Sequence, residues 1–243
     1  MPAVIELRLT AQRPLQASTR QLHGLACALF EGTYSADHGG PEKPFAVWPL
    51  RPYPHPPGIG WLLRAAWLRA GLPQTVLAAV GQLRLGSVTC AVTEVACQPA
   101  THAELAAGPA LSGARVAFRS PTYFSQNGAD VILPDPRLIL GSWRRRWNAS
   151  LDDDVLAVDD DTWRQLSRAA RLAGFDLRTE QMDSGRDHQR AGFTGTAAIR
   201  LDPGVPAAVR AAFGTLVRFA EFSGTGAQTT HAFGATTVIE TNA

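Results

Sequence analysis

The sequence lacks long apolar runs and is poor in cysteine and lysine. No apolar run approaches the roughly 20 residues that a membrane-spanning helix requires. The chain does not open on a basic segment followed by an apolar one, which is the pattern of a secretory signal. The 243 residues are 45% hydrophobic and 18% charged, a globular composition. We therefore expect a cytoplasmic globular protein that does not bind membranes.

The cysteine content argues against a disulfide framework and against a structural zinc site. Cys27, Cys90 and Cys97 are odd in number and widely spaced, and no CxxC pair is present. The aspartate runs at 152–154 and 159–161 are better explained as loop charge and a helix cap than as metal ligands. We expect reduced thiols, no metal site and no cofactor.

Lysine is almost absent: Lys43 is the only one among 23 basic residues, and the others are arginines. The net charge of +2 is too small to indicate a nucleic-acid partner by itself. Two interpretations of Lys43 stay open. Either its position requires a compact, rotatable ammonium rather than a planar guanidinium, or one lysine has survived by chance.

The pattern of apolar residues predicts an α+β fold with two similar halves. In the first half it predicts strands at residues 5–9, 45–50, 82–88 and 90–97. It predicts helices at 18–31 and 59–70, and a proline-rich irregular segment at 51–58. In the second half it predicts strands at 115–118, 131–133, 193–201 and 236–239, and helices from Asp161 to about Gly174 and over 206–222.

This order of elements predicts tandem ferredoxin-like (RRM-like) domains, each an antiparallel sheet with two helices. We expect the division near residues 106–114, with an N-terminal domain over 1–110 and a C-terminal domain over 111–243. The N-terminal domain would carry a candidate catalytic loop, and the C-terminal domain a glycine-rich loop.

The most specific local signal is the glycine-rich loop that follows the last helix. Gly224, Gly226 and Gly234 frame a segment that contains His231. Glycines allow close approach of a backbone or a phosphate, and their amides would bind an anion. The loop follows a helix, whereas dinucleotide and P-loop motifs place the glycines before one. The alternative is a helix C-cap with a tight turn.

A run of three arginines, Arg144, Arg145 and Arg146, lies between Trp143 and Trp147. Cations interleaved with aromatics suit phosphate contact and base stacking, so the run is a candidate RNA-binding segment. The alternative is a solvated helix face whose tryptophans pack inward.

Several segments in the same order resemble the CRISPR repeat-specific endoribonucleases of the RAMP superfamily, which process precursor CRISPR RNA. The resemblance spans nearly the whole chain and departs at Ala232, where the family's glycine loop usually has a glycine. Residues 227–231 also lack the family's Lys or Arg. The similar segments are 22–25 (LHGL), His38, 43–45 (KPF), 120–124 (SPTYF), 133–136 (LPDP), 143–147 (WRRRW), 192–195 (GFTG) and 216–224 (LVRFAEFSG).

The resemblance implies metal-independent cleavage of CRISPR repeat RNA, in which the ribose 2′-OH attacks the adjacent phosphate and leaves a 2′,3′-cyclic phosphate. By resemblance, His38 matches the family's catalytic histidine, and His23 lies where some relatives carry a tyrosine. The residues themselves offer Lys43 as a catalytic cation and Tyr34 as a reserve acid. Histidine suits both proton transfers because it titrates near neutrality. Each histidine also has an ordinary interpretation, as a loop or helix-surface residue.

Precursor CRISPR RNA is the expected partner, other CRISPR effector subunits are further candidates, and the chain is expected to be a monomer or a homodimer. A second hypothesis keeps the fold without the chemistry: a non-catalytic RNA-binding RAMP subunit of an effector complex. A third, a small-molecule enzyme on an α+β sandwich, has no motif in its favour.

Overall fold

The computed structural model describes residues 1–30, 43–55, 58–72, 76, 81–183 and 189–242. The first half contains helices α1 and α2 and one sheet of six strands. Its elements are β1 (Ala3–Thr10), α1 (Thr19–Phe30), β2 (Phe45–Val47), β3 (Arg51–His55), β4 (Gly58–Trp67), β5 (Gln82–Leu85), β6 (Val88–Pro99) and α2 (His102–Ala107).

The second half contains a four-stranded sheet, a short two-stranded sheet, three helices and a 3-10 turn. Its elements are β7 (Gly113–Thr122), β8 (Phe124–Gln126), β9 (Ala129–Val131), α3 (Pro136–Ser150), α4 (Asp160–Ala169), β10 (Ala170–Asp183), β11 (Gln189–Leu201), α5 (Ala207–Ser223), the 3-10 turn (Thr229–His231) and β12 (Thr236–Asn242).

The two large sheets have the same strand order. The first runs β2-β4-β1-β6-β5 and the second runs β10-β11-β7-β12, with all pairs antiparallel. When the added strands β3 and β5 are left aside, both sheets place their strands in the same order: second, third, first and fourth along the chain. This is the ferredoxin-like topology. The predicted fold class is therefore confirmed. The domain boundary at 110/111 stays a prediction.

The helix predicted over residues 59–70 is wrong, because most of this segment is strand β4. Strand β4 lies inside the sheet between β1 and β2, and its two faces are both buried at their centre. Leu63 and Ala65 face α1, whereas Ala66 faces the second half of the molecule. A strand buried on both faces shows no alternation, so its apolar residues also satisfied a helical spacing.

The proline-rich segment, predicted to be irregular, contains strand β3. Among the described strands, β3 pairs with β4 alone, along the part of β4 that β2 does not reach. Pro52 and Pro54 are tolerated because an edge strand has one row of N–H groups that no neighbour needs.

The predicted helix from Asp161 to Gly174 is also corrected. Asp159 caps α4 by accepting from the Thr162 amide at 2.8 Å, and the helix ends at Ala169. The chain then enters β10, a strand the sequence did not predict. Much of the long hairpin of β10 and β11 lies away from the helices, so β10 lacks an apolar face.

Helices α3 and α5 lie between the two sheets. Leu22, Leu25 and Leu29 of α1 cover one face of the first sheet. The other face joins a core that includes Trp147 and Phe219 of α3 and α5. Burying a tryptophan such as Trp147 removes 150–250 Å² from water, roughly 4–6 kcal/mol before the entropy loss. None of the described helices combines the length and apolarity needed to cross a membrane.

Arg146 joins the halves of the molecule through a buried cation. Its guanidinium Nη2 donates to the Phe45 carbonyl oxygen at 2.8 Å, and the residue is only 6% exposed. Hydrogen bonds from charged groups are stronger than those between neutral groups. Arg146 therefore fixes the start of β2 against α3.

We expect Arg146→Ala to lower the free energy of unfolding by about 2–4 kcal/mol, because the Phe45 carbonyl loses its donor and a cavity opens. The neighbouring exposed Arg145 is the matched control, and Arg145→Ala should change stability by about 0.5 kcal/mol or less. Urea unfolding of both variants measures the difference. Equal losses would mean that the bond to Phe45 contributes nothing.

Candidate active site

Two histidines from opposite ends of the chain stack face to face. His23 lies on α1 and His231 ends the 3-10 turn, with ring centroids 3.9 Å apart and planes 10° from parallel. The ring of Phe45, at the start of β2, lies 5.9 Å from His23. The buried neighbours Leu22 and Ala232 anchor α1 and the turn in one core. The fold thus brings together two of the predicted site residues.

The hydrogen bonds of His23 fix its tautomer. Nδ1 lies 3.0 Å from the Thr230 carbonyl oxygen, which can only accept, so Nδ1 carries the proton. Nε2 lies 3.5 Å from the Sγ of Cys27, one helical turn along α1. In the neutral ring, Nε2 is therefore an acceptor for the thiol. The sequence assigned Cys27 only an ordinary reduced thiol, although its i+4 spacing from His23 places the two side by side.

His231 is held as a neutral ring. Burial, together with the nearby charge of His23, lowers the pKa of His231 to about 4. Two unit charges about 4 Å apart repel by about 4 kcal/mol at a typical effective dielectric constant near a protein surface, so a proton on His23 disfavours one on His231. The Nδ1 of His231 also lies 3.0 Å from the Thr230 hydroxyl.

The lowered pKa of His231 predicts an acid-sensitive contribution to stability. An unfolded His231 takes up a proton near pH 6.5, whereas the folded ring does so only near pH 4. The free energy of unfolding should thus fall as the pH drops from 6.5 to 4, because the unfolded chain binds more protons.

His231→Phe removes this titration and keeps an aromatic ring. Its stability should fall less than that of the parent protein between pH 7 and pH 5, as measured by urea unfolding. Identical losses in the two proteins would contradict the lowered pKa.

The glycine loop uses its amides internally. Gly224 N–H donates to the Ala220 carbonyl at 2.9 Å, Gly226 N–H to the Ser142 hydroxyl at 3.1 Å, and Gly234 N–H to the Pro121 carbonyl at 3.0 Å. Each of these three amides already has an acceptor in the protein, and contact of the three glycines with an RNA phosphate stays a prediction.

A buried chain of hydrogen bonds anchors the loop to α3. Trp143 Nε1–H donates to the Thr225 hydroxyl at 2.8 Å, which lies 2.7 Å from the Thr236 hydroxyl. Thr236 in turn donates to the Gly234 carbonyl at 2.8 Å. The hydroxyls of Thr225 and Thr236 both have hydrogen-bond partners in this series, so they hold the loop in a defined conformation.

Ala232 keeps the conformation of the glycine it replaces. Its φ of 66° lies in the left-handed region, which a non-glycine residue enters at a cost of roughly 1–2 kcal/mol. Its methyl group is fully buried in the core of the first half. That burial offsets part of the strain, so the departure from the family pattern leaves the turn intact.

Gly226 is required for close approach as well as for its φ of 80°. A Cβ at this position would collide with the Tyr123 carbonyl oxygen. Gly128 has the same φ of 80° in an exposed turn, where a Cβ would meet nothing within 4 Å.

Gly226→Ala should therefore destabilise the protein by at least about 3 kcal/mol more than Gly128→Ala does. Gly128→Ala isolates the backbone strain, about 1 kcal/mol. Thermal or urea unfolding of the pair measures the cost of the close approach. Equal effects would show that the loop can move away from Tyr123.

The arginine run does not form the predicted three-residue patch. Arg144 donates to the Val158 carbonyl at 2.8 Å and forms an ion pair with Asp160 at 2.6 Å. Arg146 is buried, and Arg145 is the exposed member. Trp143 and Trp147, which flank the run, are fully buried, as the alternative interpretation expected. Arg144 and Arg146 thus have partners within the protein, and contact of the three arginines with RNA stays a prediction.

The remaining predicted catalytic residues are placed only in part. Lys43 immediately precedes Pro44 and lines a small cleft with Arg146 and Ser150 of α3. His38 and Tyr34 lie outside the described residues. Among the described residues, no three His, Cys, Asp or Glu side chains are grouped so that they could hold a metal ion.

Comparison with known proteins identifies the family. The family model described as "CRISPR-associated endoribonuclease Cas6" matches residues 116–236, about half of the chain. The chain belongs to the Cas6 family. The match covers most of β7, the hairpin of β10 and β11, α5 and the glycine loop, and it ends at the first residue of β12.

Named relatives support the family at two scales. The CRISPR-associated endoribonuclease Cas6 of Mycobacterium tuberculosis is 31% identical over 121 residues, 50% of this chain and 37% of the relative. The match thus spans little more than a third of the curated relatives' length. A structure of Thermus thermophilus Cas6 is 29% identical, with a TM-score of 0.76 over 98% of both chains. A product complex of that Cas6 matches with a TM-score of 0.84, over 98% of this chain and 100% of the chain in the complex.

Proposed function

We propose that this Cas6-family chain is an endoribonuclease that cleaves CRISPR repeat RNA to generate crRNA. The observation that carries the proposal is the likeness to a Cas6 product complex over nearly the whole chain, at 29% identity and a TM-score of 0.84. Partial homologues named as endoribonucleases support the same activity.

The proposed reaction is a metal-independent transesterification. A base removes the proton of the ribose 2′-OH, the resulting oxygen attacks the adjacent phosphorus, and the P–O5′ bond breaks. The leaving 5′ oxygen takes a proton from an acid, and the products are a 2′,3′-cyclic phosphate and a 5′-OH. The step needs a base, a cation beside the phosphorane and an acid.

We assign these roles to His38 as base, Lys43 as cation and His23 as acid. The geometry around His23 supports its part. With Nδ1–H bonded to the Thr230 carbonyl, Nε2 is the nitrogen that gains and loses a proton. The half-buried ring is close enough to solvent to exchange protons and is held against His231. Lys43 offers a compact ammonium close to β2, the strand that begins with Phe45 beside His23.

The test is incubation of the purified chain with repeat RNA from its own genome in excess EDTA. We expect cleavage to a 2′,3′-cyclic phosphate end. Such an end resists poly(A) tailing until acid opens the cyclic phosphate and phosphatase then removes it. A matched RNA with a 2′-deoxyribose at the scissile nucleotide should bind and stay intact. Binding without cleavage of the ribose substrate would indicate a scaffold subunit, and loss of cleavage in EDTA would indicate a metal.

Three variants separate the proposed roles. His38→Ala should lower the cleavage rate by about 100-fold or more with little change in RNA affinity. Lys43→Arg should also slow cleavage, although the charge is kept, because a planar guanidinium does not replace an ammonium beside the phosphorane. His23→Ala should slow cleavage by the share of the acid. A His38→Ala protein that cleaves at the parent rate would falsify the assignment of the base.

A further inference from the structure

The contacts around His23 come from three directions. The Thr230 carbonyl binds Nδ1–H at 3.0 Å, Cys27 Sγ lies 3.5 Å from Nε2, and the ring of His231 covers one face at 3.9 Å. Two of these partners, Thr230 and His231, belong to the same 3-10 turn. The residues on either side of that turn, Gln228 and Ala232, are both left-handed.

We propose that His231 is a positioning residue: by stacking on His23 it holds that ring in the orientation in which the Thr230 carbonyl fixes its tautomer for the RNA-cleavage step. The inference rests on the proposed function. His231 would act through His23 rather than touch the reacting phosphate, so it needs no charge of its own.

The structure supplies the reason that a stacked ring is needed. A single bond to the Thr230 carbonyl leaves the imidazole free to swing about its χ angles, and the thiol of Cys27 is a weak partner. The parallel ring of His231 blocks one direction of that motion. The Nδ1 of His231 lies 3.0 Å from the Thr230 hydroxyl, so Thr230 contacts both rings.

Neutrality of His231 makes the stack compatible with catalysis. A cationic His231 would repel a protonated His23 at this distance, and the burial that disfavours the charge removes the conflict. Among the described residues, the titratable groups in contact with His23 are Cys27 on α1 and His231 on the turn, and Arg20 also lies on α1. An aromatic ring without a charge, such as phenylalanine, should therefore do the same work.

The first experiment reads the tautomer directly in the full chain without RNA. Long-range ¹H–¹⁵N correlation spectra of the parent protein at pH 7 should show His23 as the Nδ1–H form. His231→Phe should keep that signature, and His231→Ala should replace it with an averaged mixture of both tautomers. Retention of a pure Nδ1–H signal in His231→Ala would overturn the proposal, because the carbonyl alone would then suffice.

The second experiment measures single-turnover cleavage at saturating repeat RNA. His231→Ala should lower the rate about 10-fold or more with RNA affinity within about 3-fold of the parent, whereas His231→Phe should restore most of the rate. Asp202→Asn is the control for an unrelated substitution: Asp202 pairs with Arg171 at 2.6 Å, where β11 ends and β10 begins. Its rate should equal that of the parent.

The two experiments separate failure of the inference from failure of the proposed function. If the parent protein does not cleave repeat RNA, the proposed function fails, and the tautomer spectra still decide whether His231 positions His23. If the parent cleaves and His231→Ala cleaves equally fast, the inference fails while the function stands. A loss in His231→Ala that His231→Phe does not restore would also overturn it, since stacking would not be the cause.

Discussion

The arrangement of the candidate site depends on how closely the glycine loop approaches its neighbours. Gly226 passes so near the Tyr123 carbonyl, and Gly234 so near the Thr225 carbonyl, that neither position has space for a Cβ. This packing lets the hydrogen-bond chain from Trp143 through Thr225 close over the loop. The loop is thereby fixed on α3, and its turn presents His231 to α1. Glycine here serves the shape of the backbone, and the amides are consumed in holding it.

A second constraint places α1 and β2 where the turn can reach them. The helices α3 and α5 are shared between the two sheets, so the halves of the chain do not have separate cores on this side. Arg146 of α3 binds the Phe45 carbonyl, and the Phe45 ring lies beside His23. Arg146, which the sequence predicted to contact RNA, thus connects α3 of the second half to the candidate site on the first half. One nitrogen of this buried guanidinium thus donates inside the protein, where it sets the position of β2 against α3.

The sequence predicted the fold class, because α1, α5 and the strands around them have clear one-sided patterns. It failed at β4, which is buried on both faces, and at β10, which is largely exposed and has no apolar face to detect. Within the site, His23 and His231 were each singled out, yet 208 positions separate them and nothing in the pattern brought them together. The contact arises from the long-range packing of the glycine loop, in which the left-handed residue at position 232 is alanine rather than the expected glycine.

The loop's chemistry follows from its composition. The resemblance to the family implies a Lys or Arg in this loop, and such a cation would stay charged at every working pH and would suit a phosphate. Here residues 227–231 contain only His231, whose pKa burial and His23 lower to about 4. A group that is neutral at pH 7 adds little attraction for RNA. It can, however, lie flat against a second imidazole without repelling it when that imidazole takes up a proton. Under the proposed mechanism, the exchange of a fixed cation for a neutral ring moves the loop's contribution from binding the phosphate to orienting His23.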